Sequence, residues 1–257
     1  MSPTRYSVIE GAETIFLKGS HIGILVCHGF MGTPQSVVEF SRQIHELTGC
    51  TVLAPRLKGH GTCEADLHQC THHDWFNDLV QAFHFLKHSC QSIFIAGQSM
   101  GAILALNLAA KGFAVQGIIT INAALSVPGY ECFRHQEIPT YIREQTPDIR
   151  HPIFEEITYD HVPISAIKEL LKLIDETKDQ LTKINCPALL IKSYNDHVVP
   201  HENTDVIWEA IKSKEKRIIS LEKSYHVATL DCELSEIVLN VCSFIKHNSV
   251  QAAFHPN

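Results

Sequence analysis

Six continuous apolar runs of strand length, separated by segments of helical periodicity, restrict the fold of this chain more than any other feature. They are Ile22–Cys27 (IGILVC), Thr51–Ala54, Ile93–Ala96, Gly117–Asn122, Ala188–Ser193 and Arg217–Leu221. Runs rich in Val, Ile and Leu without polar alternation belong to strands covered on both faces, as in a parallel sheet. Two weaker runs, Tyr6–Ile9 and Thr14–Leu17, flank Gly11 and predict an antiparallel hairpin on the sheet edge. The expectation is an α/β fold with a mostly parallel sheet of about eight strands, helices on both faces and right-handed crossovers.

The intervening helices have legible ends. Pro34 suits a first helical turn, and Gly49 and Gly112 suit left-handed stops. Asp74 can cap a helix whose Phe76, Leu79, Val80, Phe83 and Leu86 share one face. The alternation breaks once: about sixty residues separate Asn122 from the strand at Ala188, far beyond an ordinary connection. This stretch holds Pro128, Pro139, Pro147, Pro152 and Pro163, and a helical run from Ile164 to Leu181. It reads as a small helical cap over residues 125–185, inserted into a core formed by 1–124 and 186–257.

Composition excludes several function classes. A net charge of −7 offers no positive field for a phosphate backbone, so nucleic acid is not the expected partner. Nine cysteines include no C-x-x-C pair and leave one unpaired by number, which fits reduced thiols in a cytoplasmic protein. Residues 1–20 lack the apolar core of a signal peptide. The longest nearly apolar stretch, Ala102–Ala110, is too short to cross a bilayer, so no stable membrane insertion is expected. The 17 histidines, if protonated together, would more than reverse the net charge, so behaviour should respond strongly to pH between about 5 and 7.

The run Ile93–Ala96 leads directly into Gly97-Gln98-Ser99-Met100-Gly101, and a helical pattern follows at once. A G-x-S-x-G between strand and helix is a nucleophile elbow, whose tight turn lifts the serine hydroxyl above the carboxyl edge of the sheet. A serine hydroxyl needs a base, and His226 follows the last strand where the fold requires one. The histidine needs a carboxylate, and Asp196 falls just after the strand ALLIKS. Asp205 sits in the following helix, Asp160 in the insertion, and Asp231 at the start of the last helix, so none follows a strand. Met100, directly after the serine, and Phe30, in the loop His28-Gly29-Phe30-Met31-Gly32, would offer N–H groups to an oxyanion. His68, His72 and His73 lack a second ligand pair at a recognised spacing, so no metal and no organic cofactor is expected.

These segments together resemble the α/β-hydrolase superfamily, and more narrowly the small bacterial carboxylesterases related to monoacylglycerol lipases. The matching stretches are LVCHGFMGTP (25–34), APRLKGHG (54–61), HHDWFNDL (72–79), AGQSMG (96–101), SYNDHVV (193–199) and SYHVATLD (224–231). The resemblance implies Ser99 as nucleophile, Asp196 as orienting acid, His226 as base, and Phe30 and Met100 N–H groups as the oxyanion hole. It implies a mobile cap, for which the insertion is the natural candidate. His60 of the Gly59-His60-Gly61 motif is read as structural, and Gln98 occupies a position that varies between relatives. The expected activity is hydrolysis of small carboxylic esters of short to medium acyl chains. Phe30, Met31 and Met100 would contact the substrate, which apolar side chains hold under the cap. Monoacylglycerol lipase is the alternative; a thioesterase, or a non-catalytic binding protein of the same fold, ranks below both.

Overall fold

The computed structural model describes residues 6–135 and 140–254, so Pro139 of the insertion lies outside the described residues. In chain order the strands are β1 (Ile15–Leu17), β2 (Ile22–Cys27), β3 (Thr51–Ala54), β4 (Ser92–Gln98), β5 (Gly117–Ile121), β6 (Tyr141–Arg143), β7 (His161–Pro163), β8 (Ala188–Ser193) and β9 (Lys216–Leu221). The α-helices are α1 (Val38–Thr48), α2 (Glu64–Leu67), α3 (His72–Lys87), α4 (Met100–Ala110), α5 (Ile164–Lys178), α6 (Glu202–Ala210) and α7 (Leu234–Phe254).

Seven strands form the main sheet in the order β1-β3-β2-β4-β5-β8-β9. Only β1 runs antiparallel to its neighbour; every other pair is parallel. The expected eighth strand, Tyr6–Ile9, does not form. Its backbone bonds elsewhere: Ile9 N–H donates to Gly61 O at 2.9 Å and Ile9 O accepts from Ala12 N–H at 3.0 Å. The segment therefore docks on a loop, and β1 pairs with β3 without a hairpin partner.

Strand pleating divides the core in two. Ile24, Val26, Phe94, Ala96, Ile119 and Ile121 face α1 and α7, against Phe40, Ile44, Ile237 and Val241. Leu25, Cys27, Ile93, Ile95 and Ile118 face the other way, against α3, α4 and α5. Helix α4 is buried from Met100 through Leu108, all round rather than along one stripe. Its outer side is covered by α5, whose Ile167, Leu170, Leu171 and Ile174 join the same core. Asn107 of α4 donates through Nδ2 to Thr177 Oγ1 of α5 at 3.1 Å. Helix α5 thus belongs to the layer flanking the sheet and crosses over from β5 to β8. The stretch ahead of it, residues 126–163, contains a 3₁₀ turn (Pro128–Arg134) and the antiparallel pair β6–β7.

Helix boundaries follow the expected signals with one exchange of roles. Gly49 ends α1 at φ 68°, and Gly112 follows α4 at φ 83°. At α3 the N-cap is Thr71, not Asp74. Thr71 Oγ1 accepts from Asp74 N–H, and Asp74 Oδ2 accepts from Thr71 N–H at 2.9 Å, a reciprocal capping box.

Candidate active site

The turn from β4 into α4 is forced by close backbone approach. A side chain at Gly97 would overlap the backbone of Gly101 and Ala102, and one at Gly101 would overlap the carbonyls of Cys27 and His28. Between them Ser99 is held at φ 55°, ψ −117°, a conformation that only a surrounding structure can impose on a residue with a Cβ. Ser99 N–H donates to Ile121 O of β5 at 2.9 Å, and Ser99 O accepts from Ala124 N–H at 3.3 Å. Met100 opens α4, so its N–H has no acceptor within the helix.

Three distant segments converge here. His226 Nε2 lies 2.9 Å from Ser99 Oγ, and Nδ1 lies 2.7 Å from Asp196 Oδ2. The other carboxylate oxygen, Oδ1, accepts from Val198 N–H and Val199 N–H, each at 2.8 Å. Asp196 is therefore oriented by its own loop, and its side chain is only 1% exposed. Burial pulls the His226 pKa down, but the Asp196 charge and hydrogen bond, with Asp148 and Glu156, hold it above the ordinary 6.5.

The loops carrying Asp196 and His226 are braced by groups outside the three expected residues. Asp148 accepts from His226 N–H and His197 N–H through Oδ2, each at 3.1 Å. Asp231 accepts from Tyr225 N–H (2.8 Å), Arg150 N–H (2.9 Å) and His151 N–H (3.0 Å), tying the His226 loop to the insertion. Glu233 accepts from the N–H groups of Glu222, Lys223 and Ser224. Asn122, at φ 45°, donates to His226 O (2.8 Å) and accepts from Ser193 N–H (2.7 Å), coupling the ends of β5 and β8 to the histidine loop. Gln98 Oε1 accepts from Thr229 N–H at 3.1 Å, so the residue before the serine anchors that same loop. Spacing alone gave no sign of Asp148, Asn122 or Glu233. Asp231 ends one of the matching stretches and otherwise shows only as a carboxylate that follows no strand.

The wall of the site is aromatic. Phe30 makes edge contacts with Trp75 (6.0 Å), His60 (6.3 Å) and Tyr130 of the insertion (6.0 Å). Met31, at φ 65°, and Met100 are buried, at 3% and 0% exposure. His28 Nε2 accepts from Leu57 N–H at 3.2 Å, fixing the Phe30 loop to the loop after β3. Burial lowers the His28 pKa to about 4, and burial with the His28 charge lowers that of His60 well below the usual range. Both are structural imidazoles kept neutral.

The insertion contributes two carboxyls to this region. Burial raises Glu156 to about 7 against the opposing pull of His226 and a hydrogen bond from Ser36, and burial raises Glu144 likewise to about 7. The Glu156 carboxylate packs on Gly32, where a Cβ would displace it. The insertion is stitched down around them. Gln35 Nε2 donates to Glu155 O (2.8 Å), Ile157 N–H donates to Gln35 Oε1 (3.1 Å), and Tyr159 O–H donates to Gly59 O (2.6 Å).

Among the described residues no helix is long and apolar enough to cross a membrane. Residues 20–146 and 154–233 match the family Hydrolase_4 (serine aminopeptidase, S33). The chain is 39% identical over 246 residues to a thermostable monoacylglycerol lipase of Bacillus sp. (strain H-257), covering 95% of this chain and 98% of that one. It is 27% identical over 239 residues to a carboxylesterase of Bacillus subtilis (strain 168), covering 89% and 94%. A solved structure from work on LipS and LipT, two metagenome-derived lipolytic enzymes, superposes with a TM-score of 0.90 at 38% identity, covering 94% of this chain and all of that one. A monoacylglycerol lipase of Paleococcus ferrophilus shares the fold alone, with a TM-score of 0.77 at 14% identity. With a strained serine elbow on a mostly parallel sheet and a family match across most of its length, the chain belongs to the Hydrolase_4 family of α/β-hydrolases, as a serine hydrolase.

Proposed function

We propose that the protein hydrolyses carboxylic esters of short to medium acyl chains through an acyl-enzyme. The observation that carries the reading is the unbroken series Ser99 Oγ, His226 Nε2, His226 Nδ1 and Asp196 Oδ2, at 2.9 and 2.7 Å. Ser99 Oγ attacks the ester carbonyl while its proton passes to His226 Nε2. The carbonyl oxygen becomes an oxyanion facing the Phe30 and Met100 N–H groups. Collapse breaks the bond to the alkoxide, which leaves with the proton from His226. Water then gives a proton to His226 as it attacks the acyl-Ser99 carbonyl, and collapse breaks the bond to Ser99 Oγ, which takes the proton back from His226 as the carboxylic acid leaves. Asp196 holds the imidazole in the required tautomer and stabilises the imidazolium, without taking the proton. The residues acting as a cap are 126–163, since α5 packs in the helical layer.

Monoacylglycerols as the esters are a second reading. The Glu156 carboxyl, packed on Gly32 of the Phe30 loop, would offer acceptors to a hydroxyl-bearing leaving group, which a plain alkyl ester does not need. The 39% identical relative that bears the name monoacylglycerol lipase supports it too.

Ser99→Ala is expected to abolish labelling by a fluorophosphonate and to lower ester turnover by about 10⁴-fold or more. Turnover at the wild-type rate would overturn the assignment. The ratio of kcat/KM for a monoacylglycerol and an alkyl ester of the same acyl chain separates the two substrates. Glu156→Gln should cut that ratio severalfold if the carboxyl holds the glycerol portion, and leave it unchanged otherwise.

A further inference from the structure

In sequence, His68, His72 and His73 lack a second ligand pair at a recognised spacing; the fold supplies carboxylates from α5, about a hundred residues later. His72 and His73 open α3, and their rings lie 4.0 Å apart between centroids. His72 is 6% exposed in its side chain and sits between two carboxylates of α5. Its Nδ1 is 2.5 Å from Glu169 Oε2, and its Nε2 is 2.9 Å from Glu176 Oε1. Ligand atoms of His72, His73 and Glu176 all lie within 4.8 Å of one another. Glu169 stands apart from that set: it holds the opposite ring nitrogen of His72 and also bonds Lys172 Nζ at 2.6 Å.

In the free protein both ring nitrogens of His72 thus meet carboxylates, and a bound ion would turn this into the division of labour that a histidine metal ligand requires. One ring nitrogen donates to a carboxylate, which fixes the tautomer and raises basicity, so the other nitrogen carries a lone pair to the ion. We propose that His72 Nε2, a ring nitrogen of His73 and the Glu176 carboxylate bind one zinc-class divalent cation, with Glu169 orienting His72 from behind. Two nitrogens and one carboxylate oxygen suit Zn²⁺, with water in the fourth position, and the exposure of His73 leaves that position open to solvent. Bond lengths of about 2.0–2.1 Å set neighbouring ligand atoms ~3.3 Å apart in a tetrahedron, so His73 closes inward while Glu176 moves slightly away from His72. Binding displaces any proton on His72 Nε2, and that proton leaves to solvent. Glu169 and Glu176 offset the positive end of the α3 dipole, which would otherwise oppose a cation there. The ion would clamp α3 to α5, the helix into which the insertion returns, at a place remote in sequence from Ser99, Asp196 and His226.

The test uses the full chain freed of metal by a chelator and titrated with Zn²⁺, read by calorimetry and thermal melting. One equivalent should bind saturably, and a hundredfold excess over Kd should raise Tm by about 5–10 °C. His73→Ala and Glu176→Gln should each weaken zinc binding at least tenfold. Glu169→Gln should weaken it about tenfold without removing a ligand. His68→Ala, on a nearby histidine bonded to Ser165, should change nothing. Melting in chelator separates a lost ligand from a lost fold, and the exposed His73 provides the variant least able to disturb packing. Undiminished zinc affinity in both His73→Ala and Glu176→Gln, or binding only as weak non-stoichiometric uptake by scattered histidines, would overturn the site.

Discussion

Opposing effects meet on His226. Burial favours its neutral form, while Asp196, Asp148 and Glu156 favour the charged form and together prevail. In the proposed role of base it must be neutral, so kcat/KM should fall as pH drops through its folded pKa, with the midpoint of that limb above 6.5. Asp148→Asn removes one of the charges that raise it and should move the limb to lower pH, which a pH–rate profile measures directly. An unmoved limb would show that Asp148 acts only by bracing the loop. The same raised pKa means that protonated His226 stabilises the fold below pH 6.5, and that this contribution is lost as pH rises through the folded value. Asp196→Asn would present the wrong hydrogen-bond partner to Nδ1 and should lower kcat about 10⁴-fold with little change in KM. At this scale sequence order revealed Ser99, Asp196 and His226, because each follows a strand at the carboxyl edge. Asp148 escaped notice because a carboxylate in a long irregular segment has no positional signature; only its meeting with two backbone N–H groups assigns it a role.

Among the elements, α5 divides expectation from outcome most clearly. Its apolar positions Ile167, Leu170, Leu171 and Ile174 were legible as one helical face, but the periodicity does not say what that face covers. The face covers α4, which is buried all round and must be enclosed. Leu170→Ala should therefore cost about 2–5 kcal/mol in urea unfolding, as for a core leucine. Ile153→Ala in the stretch ahead of α5, at a residue 80% exposed, should cost less than about 0.5 kcal/mol. Equal costs would place α5 outside the packed layer. The elbow behaves differently, since its glycines are demanded by backbone contacts that any side chain would break. For that reason the turn between β4 and α4 could be located from five letters. The Tyr6–Ile9 segment does not form the expected strand because short apolar runs on an edge do not specify their partner.

For the molecule as a whole, the buried neutral histidines set an acid limit on stability. His28 has a folded pKa near 4 against 6.5 for the exposed side chain, so the unfolded chain binds more protons between those values. Its stabilising contribution is full above pH 6.5 and is lost as pH falls toward 4, amounting to about 3 kcal/mol. His60 acts in the same direction. Urea unfolding at pH 7 and pH 4.5 should show this loss in the wild type and a smaller one in His28→Gln, whose amide does not titrate. An equal loss in both would mean that groups other than His28 govern the acid side.

Taken by itself, the sequence determined the layered α/β architecture, the place of the serine elbow and the order of the three residues that meet there. These are encoded locally, in apolar runs, turn glycines and chain order, and local encoding survives without coordinates. Only the tertiary structure decided that α5 encloses α4, that Asp148 and Asp231 fasten the insertion to the histidine loop, and that Glu169 and Glu176 flank His72. Those are contacts between groups 70 to 104 residues apart in the chain. Their partners are chosen by how finished elements pack, a constraint that no single stretch of the chain carries.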